Sequence, residues 1–155
     1  MNNNTVLNMF DFQVAVIEAL KADAAFNQDV IDKLGKPLNY FIDINEIDST
    51  LQYPVFVMHK NTNINDVEQQ KQSMFQFIFG AMLGEVDKTP DGVDFYPSIR
   101  DIELLSRRVL DIISNVVCNS TSYELVHWNM LVTTIGEADD VQMVTSFRLE
   151  QLQFI

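Results

Sequence analysis

Two histidines and one cysteine are the side chains of this sequence best suited to bind a metal ion or to act as a nucleophile. His59 and His127 lie far apart, and neither stands at ligand spacing from the other or from Cys118. Cys118 ends a predicted helix, whereas a reactive thiolate is favoured by nearby cations or by a helix amino terminus. We therefore expect no metal site, and we interpret Cys118 as a buried, unreactive thiol.

Two acidic clusters are the remaining candidates for chemistry. Asp87, Asp91 and Asp94 fall in one connection, and Glu137, Asp139 and Asp140 fall in another. Neither cluster has the alternate-position spacing of a calcium loop, so both are interpreted as solvated turns. The sequence shows no glycine-rich phosphate loop and no nucleophile elbow, and it predicts neither catalysis nor a cofactor. If the chain were an enzyme of unfamiliar type, His127 or Glu124 would be the first candidates for an ionisable catalytic residue.

Length and charge predict one domain over residues 1–155, with 1–7 as a loose tail. The net charge of -12, from 22 acidic and 10 basic residues, opposes a nucleic-acid groove, because duplex binding depends on cations that neutralise phosphates. The longest apolar run, 77–83, is far shorter than the roughly 20 residues of a membrane helix. The first residues lack the pattern of a signal peptide, so we expect synthesis in the cytoplasm.

Three helical segments are predicted. Asn8 and Asp11 cap the first helix, and a short second turn at 29–34 ends at Gly35. A long helix follows Tyr96, with a capping box predicted from Ser98 and Asp101. Its apolar face consists of Ile99, Ile102, Leu105, Val109, Ile112 and Val116. That spacing predicts a helix that covers a sheet.

Strands are predicted at 38–44, 53–60 and 73–86, followed after the long helix by a terminal hairpin. Pro54 cannot donate to a ladder, so we place it at a strand start or on an edge. The polar segment 61–72 is interpreted as a mobile loop, and 87–92 as a turn. The apolar parity of the last strand changes after Leu149, which predicts a bulge or a change of partner near Glu150 and Gln151.

These elements predict an α+β fold, with a mostly antiparallel sheet of about five strands and two main helices on one face. The strand 73–86 carries apolar residues on both parities: Phe75, Phe77, Phe79, Ala81 and Leu83 on one, and Met74, Ile78 and Met82 on the other. Both of its faces should therefore be buried, one in the chain's own core and the other against a second subunit. A central strand between two helical layers is the alternative.

The order of elements resembles the tail terminator, or tail-to-head joining (tail completion), proteins of long-tailed bacteriophages. The resemblance runs from about Phe10 to Phe154, through "FDFQVAVIEALKADAAF", "YPVFVMH", "IRDIELLSRRVLDIISNVV" and a hairpin that ends in "VTSFRLEQLQF". It implies a virion protein at the head-proximal end of the tail. Such a protein forms a homo-oligomeric ring, usually a hexamer, which caps the tail tube, ends its polymerisation and joins the tail to a head-connector or neck protein. It implies no catalysis, no cofactor and no membrane.

Under this resemblance, three sets of residues become candidates for assembly. Phe75, Phe77, Phe79 and Met82 are assigned to a subunit or tube interface. Asn61, Asn65, Gln69 and Gln72 are assigned to a loop that becomes ordered on assembly. The two acidic clusters are assigned to a channel or rim that DNA passes without specific binding, since like charges oppose adhesion. The alternative is a small, non-catalytic ligand-binding or regulatory α+β module, which should show a pocket with converging polar groups.

Overall fold

The structure is a computed structural model that describes residues 8–44, 53–60, 72–118, 123–134 and 139–151. Its helices are α1 (Met9–Ala22), α2 (Ala24–Leu34) and α3 (Pro97–Cys118). Its strands are β1 (Asn39–Ile42), β2 (Val55–Lys60), β3 (Gln72–Met82), β4 (Asp87–Lys88), β5 (Asp94–Phe95), β6 (Tyr123–Thr134) and β7 (Asp140–Gln151). The candidate loop residues Asn61, Asn65 and Gln69 lie outside the described residues.

Five strands form the main sheet in the order β1-β2-β3-β7-β6. The β1–β2 pair is parallel and the other pairs are antiparallel. Helices α1 and α3 pack on the sheet, and α2 packs against both of these helices. The predicted α+β class and the mostly antiparallel five-stranded sheet are confirmed. A separate two-stranded hairpin, β4–β5, precedes α3.

The first two helices follow each other with one residue between them. Asn8 caps α1 as predicted, because its side chain accepts a hydrogen bond of 3.1 Å from the Asp11 N–H. Asp23 ends α1 and also caps α2, since its side chain accepts from the Phe26 N–H at 2.9 Å. The predicted turn at 29–34 is therefore the second half of a full helix. That helix ends at Gly35, whose φ of 82° is the left-handed conformation expected of such a cap.

Helix α3 begins one residue earlier than its predicted cap. Pro97 occupies the first position, where its missing N–H costs no hydrogen bond. Ser98 is already helical, and its hydroxyl donates to the Leu83 carbonyl at 2.5 Å, while Asp101 lies 3.3 Å from the Arg100 guanidinium. The predicted capping box is therefore wrong. The fully covered face of α3 holds Ile102, Leu105, Val109, Ile113 and Val117, so Ile112 and Val116 are only half-buried.

Strand β3 lies at the centre of the sheet and of the core. Its residues Phe75, Phe77 and Phe79 are at most 1% exposed. The Phe75 ring lies 4.9 Å from the Phe12 ring of α1, measured between centroids, and 5.5 Å from the ring of Phe147 in β7. Burial of each such side chain contributes about 1.5 to 3 kcal/mol. The side of β3 that carries the phenylalanines therefore belongs to the hydrophobic core of this chain.

Both predicted ends of β3 change, whereas two neighbouring predictions are confirmed. Gln72 is the first residue of β3, not the last residue of a loop, and β3 ends at Met82 instead of continuing to 86. Pro54 precedes the first residue of β2, which confirms its predicted place. The turn predicted at 87–92 is confirmed by the Gly92 N–H, which donates to the Thr89 carbonyl at 2.9 Å.

The irregularity of the terminal hairpin lies in the other strand. The pairing of β7 keeps its register and its partner strands through Gln151, so neither the bulge nor the change of partner predicted near Glu150 and Gln151 occurs within the described residues. The register shifts in β6 instead, between His127 and Asn129. Leu152 and Phe154, whose parity prompted the prediction, lie outside the described residues. Within the described ranges, no helix is long and apolar enough to cross a membrane.

Candidate functional site: the open face of the sheet

The sheet has a second face, opposite the helices, which we call the open face. Successive residues of a strand point to opposite sides of the sheet. The residues that alternate with the core residues along each strand therefore form the open face. One row on this face crosses all five strands through directly paired positions: Phe41, Val57, Ile78, Val144 and Leu131. The register therefore lines up one apolar residue from each strand. We call this set the apolar row.

Polar residues flank the apolar row on both sides. One neighbouring row contains Asn39, Val55, Gly80, Gln142 and Thr133. The row on the other side contains His59, Gln76, Ser146 and Asn129. An apolar centre with a polar margin is the usual composition of a protein–protein interface. The open face thus has the arrangement expected of a contact surface.

Along the apolar row, exposure increases from β2 to β6, while Phe41 in the edge strand β1 is half-buried. Val57 in β2 is completely buried, and it forms a small second core with Tyr53 and Val55. Ile78 and Val144 are half-buried. Leu131, on the edge strand β6, is 54% exposed. The accessible part of the open face is therefore the part formed by β3, β7 and β6.

One end of the open face is sealed by Tyr53. Its ring lies across Gly80, and its hydroxyl donates to the carboxyl of Asp140. Gln142 Nε2 donates to the same hydroxyl at 2.8 Å. Burial, followed by the hydrogen bond to Asp140, raises the pKa of Tyr53 to about 12. The phenol is therefore a fixed, neutral hydrogen-bond donor at any physiological pH.

The opposite end of β2 carries a second polar cluster, centred on Asp43. Asp43 Oδ1 accepts from Gln13 Nε2 at 3.0 Å and from the Lys60 N–H at 3.1 Å. Burial alone would raise the pKa of Asp43, but these hydrogen bonds and the Lys60 ammonium lower it. His59 Nδ1 lies 4.0 Å from Asp43 Oδ1. Burial lowers the pKa of His59, and the Asp43 charge opposes that shift only in part.

The predicted interface residues do not all reach the surface. The side chains of Phe75, Phe77 and Phe79 are enclosed by this chain's own helices and strands, so they cannot contact a partner directly. This corrects their assignment to an interface. The residues of β3 that can reach a partner are those that alternate with the phenylalanines and point to the open face. Met82, the fourth predicted residue, ends β3 and is 47% exposed. Periodicity showed that both parities are apolar, but it did not show which one the helices cover.

The predicted acidic rim is only partly accessible. Asp87, Asp91 and Asp94 are exposed on the β4–β5 hairpin, and Asp139 is exposed before β7. Asp140 is buried and bound by Tyr53, which corrects its assignment to a rim. Glu137 lies outside the described residues.

Most of the basic side chains are paired within the chain. Of the nine basic residues that the structure describes, seven lie between 2.6 and 3.4 Å from a carboxylate: Lys33, Lys60, Lys88, Arg100, Arg107, Arg108 and Arg148. The predicted helix pair of Glu103 and Arg107 is among them, at 3.1 Å. Because the basic residues are neutralised locally, the excess negative charge dominates the surface potential.

A cleft of about 580 Å³ lies between the end of α2, the end of β3 and the start of α3. Its walls include Lys33, Lys36, Tyr53, Met82 and Asp101. The chain between β3 and the β4–β5 hairpin forms one wall. Polar and apolar side chains both line this cleft, so it could accept a small polar molecule or a peptide segment.

Metal-binding chemistry finds no support in the described part of the chain. No group of three histidine, cysteine or acidic side chains that could hold a metal ion occurs there. The side chains of His127 and Cys118 fall outside what the structure describes.

Comparison with known proteins gives a similarity in structure but none in sequence. No protein-family model matches the chain, and no curated protein sequence matches it. The fold is similar to a chain in the solved "Virion of native gene transfer agent (GTA) particle", with 13% sequence identity and a TM-score of 0.47. The similarity covers 90% of this chain and 92% of that chain. At this identity and TM-score, it carries no argument about function.

Proposed function

We propose that the chain is a structural protein of a bacteriophage virion that forms a ring on the tail tube. The ring ends polymerisation of the tube and joins the tail to a head-connector or neck protein. The observation that carries this proposal is the apolar row on the open face. The resemblance of the element order to tail terminator proteins supports it.

The apolar row requires a cover in the assembled state. Its accessible members, ending at Leu131, would otherwise keep contiguous apolar surface in water. Polar residues in the rows on both sides, among them Gln76 and Gln142, match the margin of an interface. We assign this face to a contact in the tail, with another copy or with the tube protein.

The charge distribution suits a channel for DNA. Basic residues are paired locally and the net charge is -12, so a ring of these chains repels phosphates. The repulsion acts over a Debye length of about 8 Å in physiological salt. Asp87, Asp91, Asp94 and Asp139 are the exposed candidates for the channel or rim. DNA would pass such a wall without specific binding.

The first test is the mass of the particle in solution. Light scattering behind size exclusion would be recorded at several concentrations, alone and with the tail-tube protein of the same genome. We expect a ring mass, either alone or on the tube. A persistent monomer that ignores the tube protein would overturn the proposal.

A pair of variants tests the open face. Leu131→Ser removes the most exposed member of the apolar row, and Ile31→Ser is the control on the exposed side of α2. We expect Leu131→Ser to lose either the ring or the tube complex, while Ile31→Ser keeps both. Equal behaviour of the two variants would exclude the open face as a contact.

The cleft favours a second candidate function, a ligand-binding or regulatory module. Its mixed lining and its volume of about 580 Å³ are in the range of small-molecule sites. A thermal-shift screen against metabolites and metal ions tests this candidate, because a ligand that binds the folded state raises its stability. A ring protein without a ligand site should show no shift.

A further inference from the structure

The β4–β5 hairpin is an acidic arm with exposed valines. We use "the arm" for residues 85–95. This segment contains one basic residue, Lys88, and four acidic residues, Glu85, Asp87, Asp91 and Asp94. Val86 is 50% exposed and Val93 is 61% exposed. The arm therefore combines apolar side chains with a net negative charge, and this composition suits an apolar surface with a basic margin.

The arm has a defined conformation. The Val93 N–H donates to Thr89 Oγ1 at 3.1 Å, and the Thr89 N–H donates to the Val93 carbonyl at 2.9 Å. At its base, the Arg100 guanidinium of α3 lies 5.5 Å from the centre of the Phe95 ring. Because the turn and the base are fixed, the arm loses little conformational entropy when it binds a partner.

A matching surface lies on the outer side of α3. Leu104 is 49% exposed, and Arg100, Arg107 and Arg108 stand four residues before it and three and four residues after it. Residues at these spacings are neighbours on a helix surface. Three of the four arginines of this acidic chain therefore lie within about one helical turn of an exposed leucine. We call these four residues the arginine patch.

The arginines of the patch retain capacity for further contacts. Arg107 contacts Glu103 through Nη2, Arg100 contacts Asp101 through Nε, and Arg108 contacts Asp29 of α2 through Nη1. A guanidinium has five N–H donors, so a single contact leaves most of them available. The side chains of Arg100 and Arg107 are both more than half exposed. The patch can therefore bind additional carboxylates beside its apolar centre.

We propose that the arm of one copy binds the arginine patch of the next copy, which makes this the head-to-tail contact of the ring. Within one chain, only the base of the arm contacts the patch, through Phe95 and Arg100, while Val93 and Leu104 both remain exposed. The two surfaces differ, and a contact between different surfaces closes into a ring when the rotation permits. This inference rests on the proposed function, and it leaves the open face for the tube protein.

The test uses two complementary double variants of the full chain. The arm variant carries Val93→Ser and Asp91→Ala, and the patch variant carries Leu104→Ser and Arg107→Glu. A control, Ile31→Ser with Lys36→Glu, makes the same types of change as the patch variant, but on α2 and just after it. Circular dichroism and thermal unfolding first establish that all three are folded. Particle mass is then measured for each variant and for a 1:1 mixture of the arm and patch variants.

We expect each double variant alone to associate more weakly than the unmodified chain by at least about tenfold, and the control to associate normally. In the mixture, the intact patch of the arm variant can bind the intact arm of the patch variant. One complete contact per pair predicts heterodimers and no ring. This complementation is the result specific to an arm–patch contact.

Other outcomes separate this inference from the proposed function. If both double variants form normal rings, the arm–patch contact is excluded and the ring stands. If the arm variant forms a normal ring but no longer binds the tube protein, the arm belongs to the tube contact instead. If the unmodified chain itself stays monomeric with and without the tube protein, the proposed function and this inference both fail.

Discussion

The ring of Tyr53 lies so close to Gly80 that a Cβ atom at position 80 would be 2.9 Å from Tyr53 Cε1. The same Cβ would be 2.9 Å from Val55 Cγ1. Both neighbours are buried, so neither can move away without disturbing the small core on the open face. A side chain at position 80 is therefore incompatible with the observed packing.

Gly80→Ala should accordingly lower the free energy of unfolding by about 1 to 3 kcal/mol, the usual cost of forcing an extra group into a packed site. Urea denaturation followed by circular dichroism measures the change. Gln76→Ala, which introduces the same residue at an exposed position of the same strand, should stay within about 0.5 kcal/mol. Similar values for the two variants would contradict the packing described here.

Tyr53→Phe should also destabilise the chain. The change removes the hydroxyl that binds Asp140, a buried side chain whose Oδ1 already has no hydrogen-bond partner among the described residues. Leaving a buried polar group without its partner costs about 1 to 3 kcal/mol. Chemical denaturation would detect this loss. Tyr96→Phe, at a more exposed tyrosine, is the control and should leave the midpoint unchanged.

Stability should decrease on mild acidification because of His59. Burial lowers the pKa of this imidazole in the folded state below the 6.5 of an unperturbed histidine. The unfolded chain therefore binds the proton first, so the contribution of His59 is complete above pH 6.5 and is lost as the pH falls toward the folded-state value. Unfolding free energies measured between about pH 7.5 and 5 should fall less steeply for His59→Gln than for the unmodified chain. Parallel profiles would show that His59 does not contribute.

Phe77→Ala should act on the fold of the subunit before it acts on assembly. Phe77 is fully buried and stacks on Phe56 with ring centroids 5.4 Å apart. Truncation of a buried phenylalanine typically costs about 3 to 5 kcal/mol. Phe10→Ala, at an exposed phenylalanine, should cost less than about 1 kcal/mol. Loss of association by a Phe77→Ala chain that keeps full stability would contradict the placement of this residue in the core.

Local patterns in the sequence predicted the elements better than their ends. Asn8 was identified because a cap needs only the next three residues. The apolar period of α3 identified Ile102, Leu105 and Val109 correctly, but near the end of the helix it gave Ile112 and Val116 in place of Ile113 and Val117. Asp23 was missed because this single residue both ends α1 and caps α2. The sequence therefore contains no turn segment that would separate the two helices. Ser98 was misassigned because Pro97 is itself a good first residue, which moves the cap one position back.

Long-range relationships were not accessible from the sequence. Asp140 resembles a solvated turn residue until the fold places Tyr53, 87 positions earlier, against it. The apolar row depends on the register of four strand pairs, and a slip of one residue in any of them would break it. Apolar residues on both parities of β3 were visible in the sequence, but the helices had to be placed before one parity could be identified as core.

The register shift in β6 bears on how the free subunit avoids aggregation. Among the described strands, β6 forms one edge of the sheet with 12 residues. A long, regular edge is a template for pairing with strands of other molecules and leads to fibres or precipitates. The shift between His127 and Asn129 divides this edge into the stretches 123–127 and 129–134, each too short to present a long uninterrupted ladder. The irregularity therefore favours a chain that stays dispersed at high concentration.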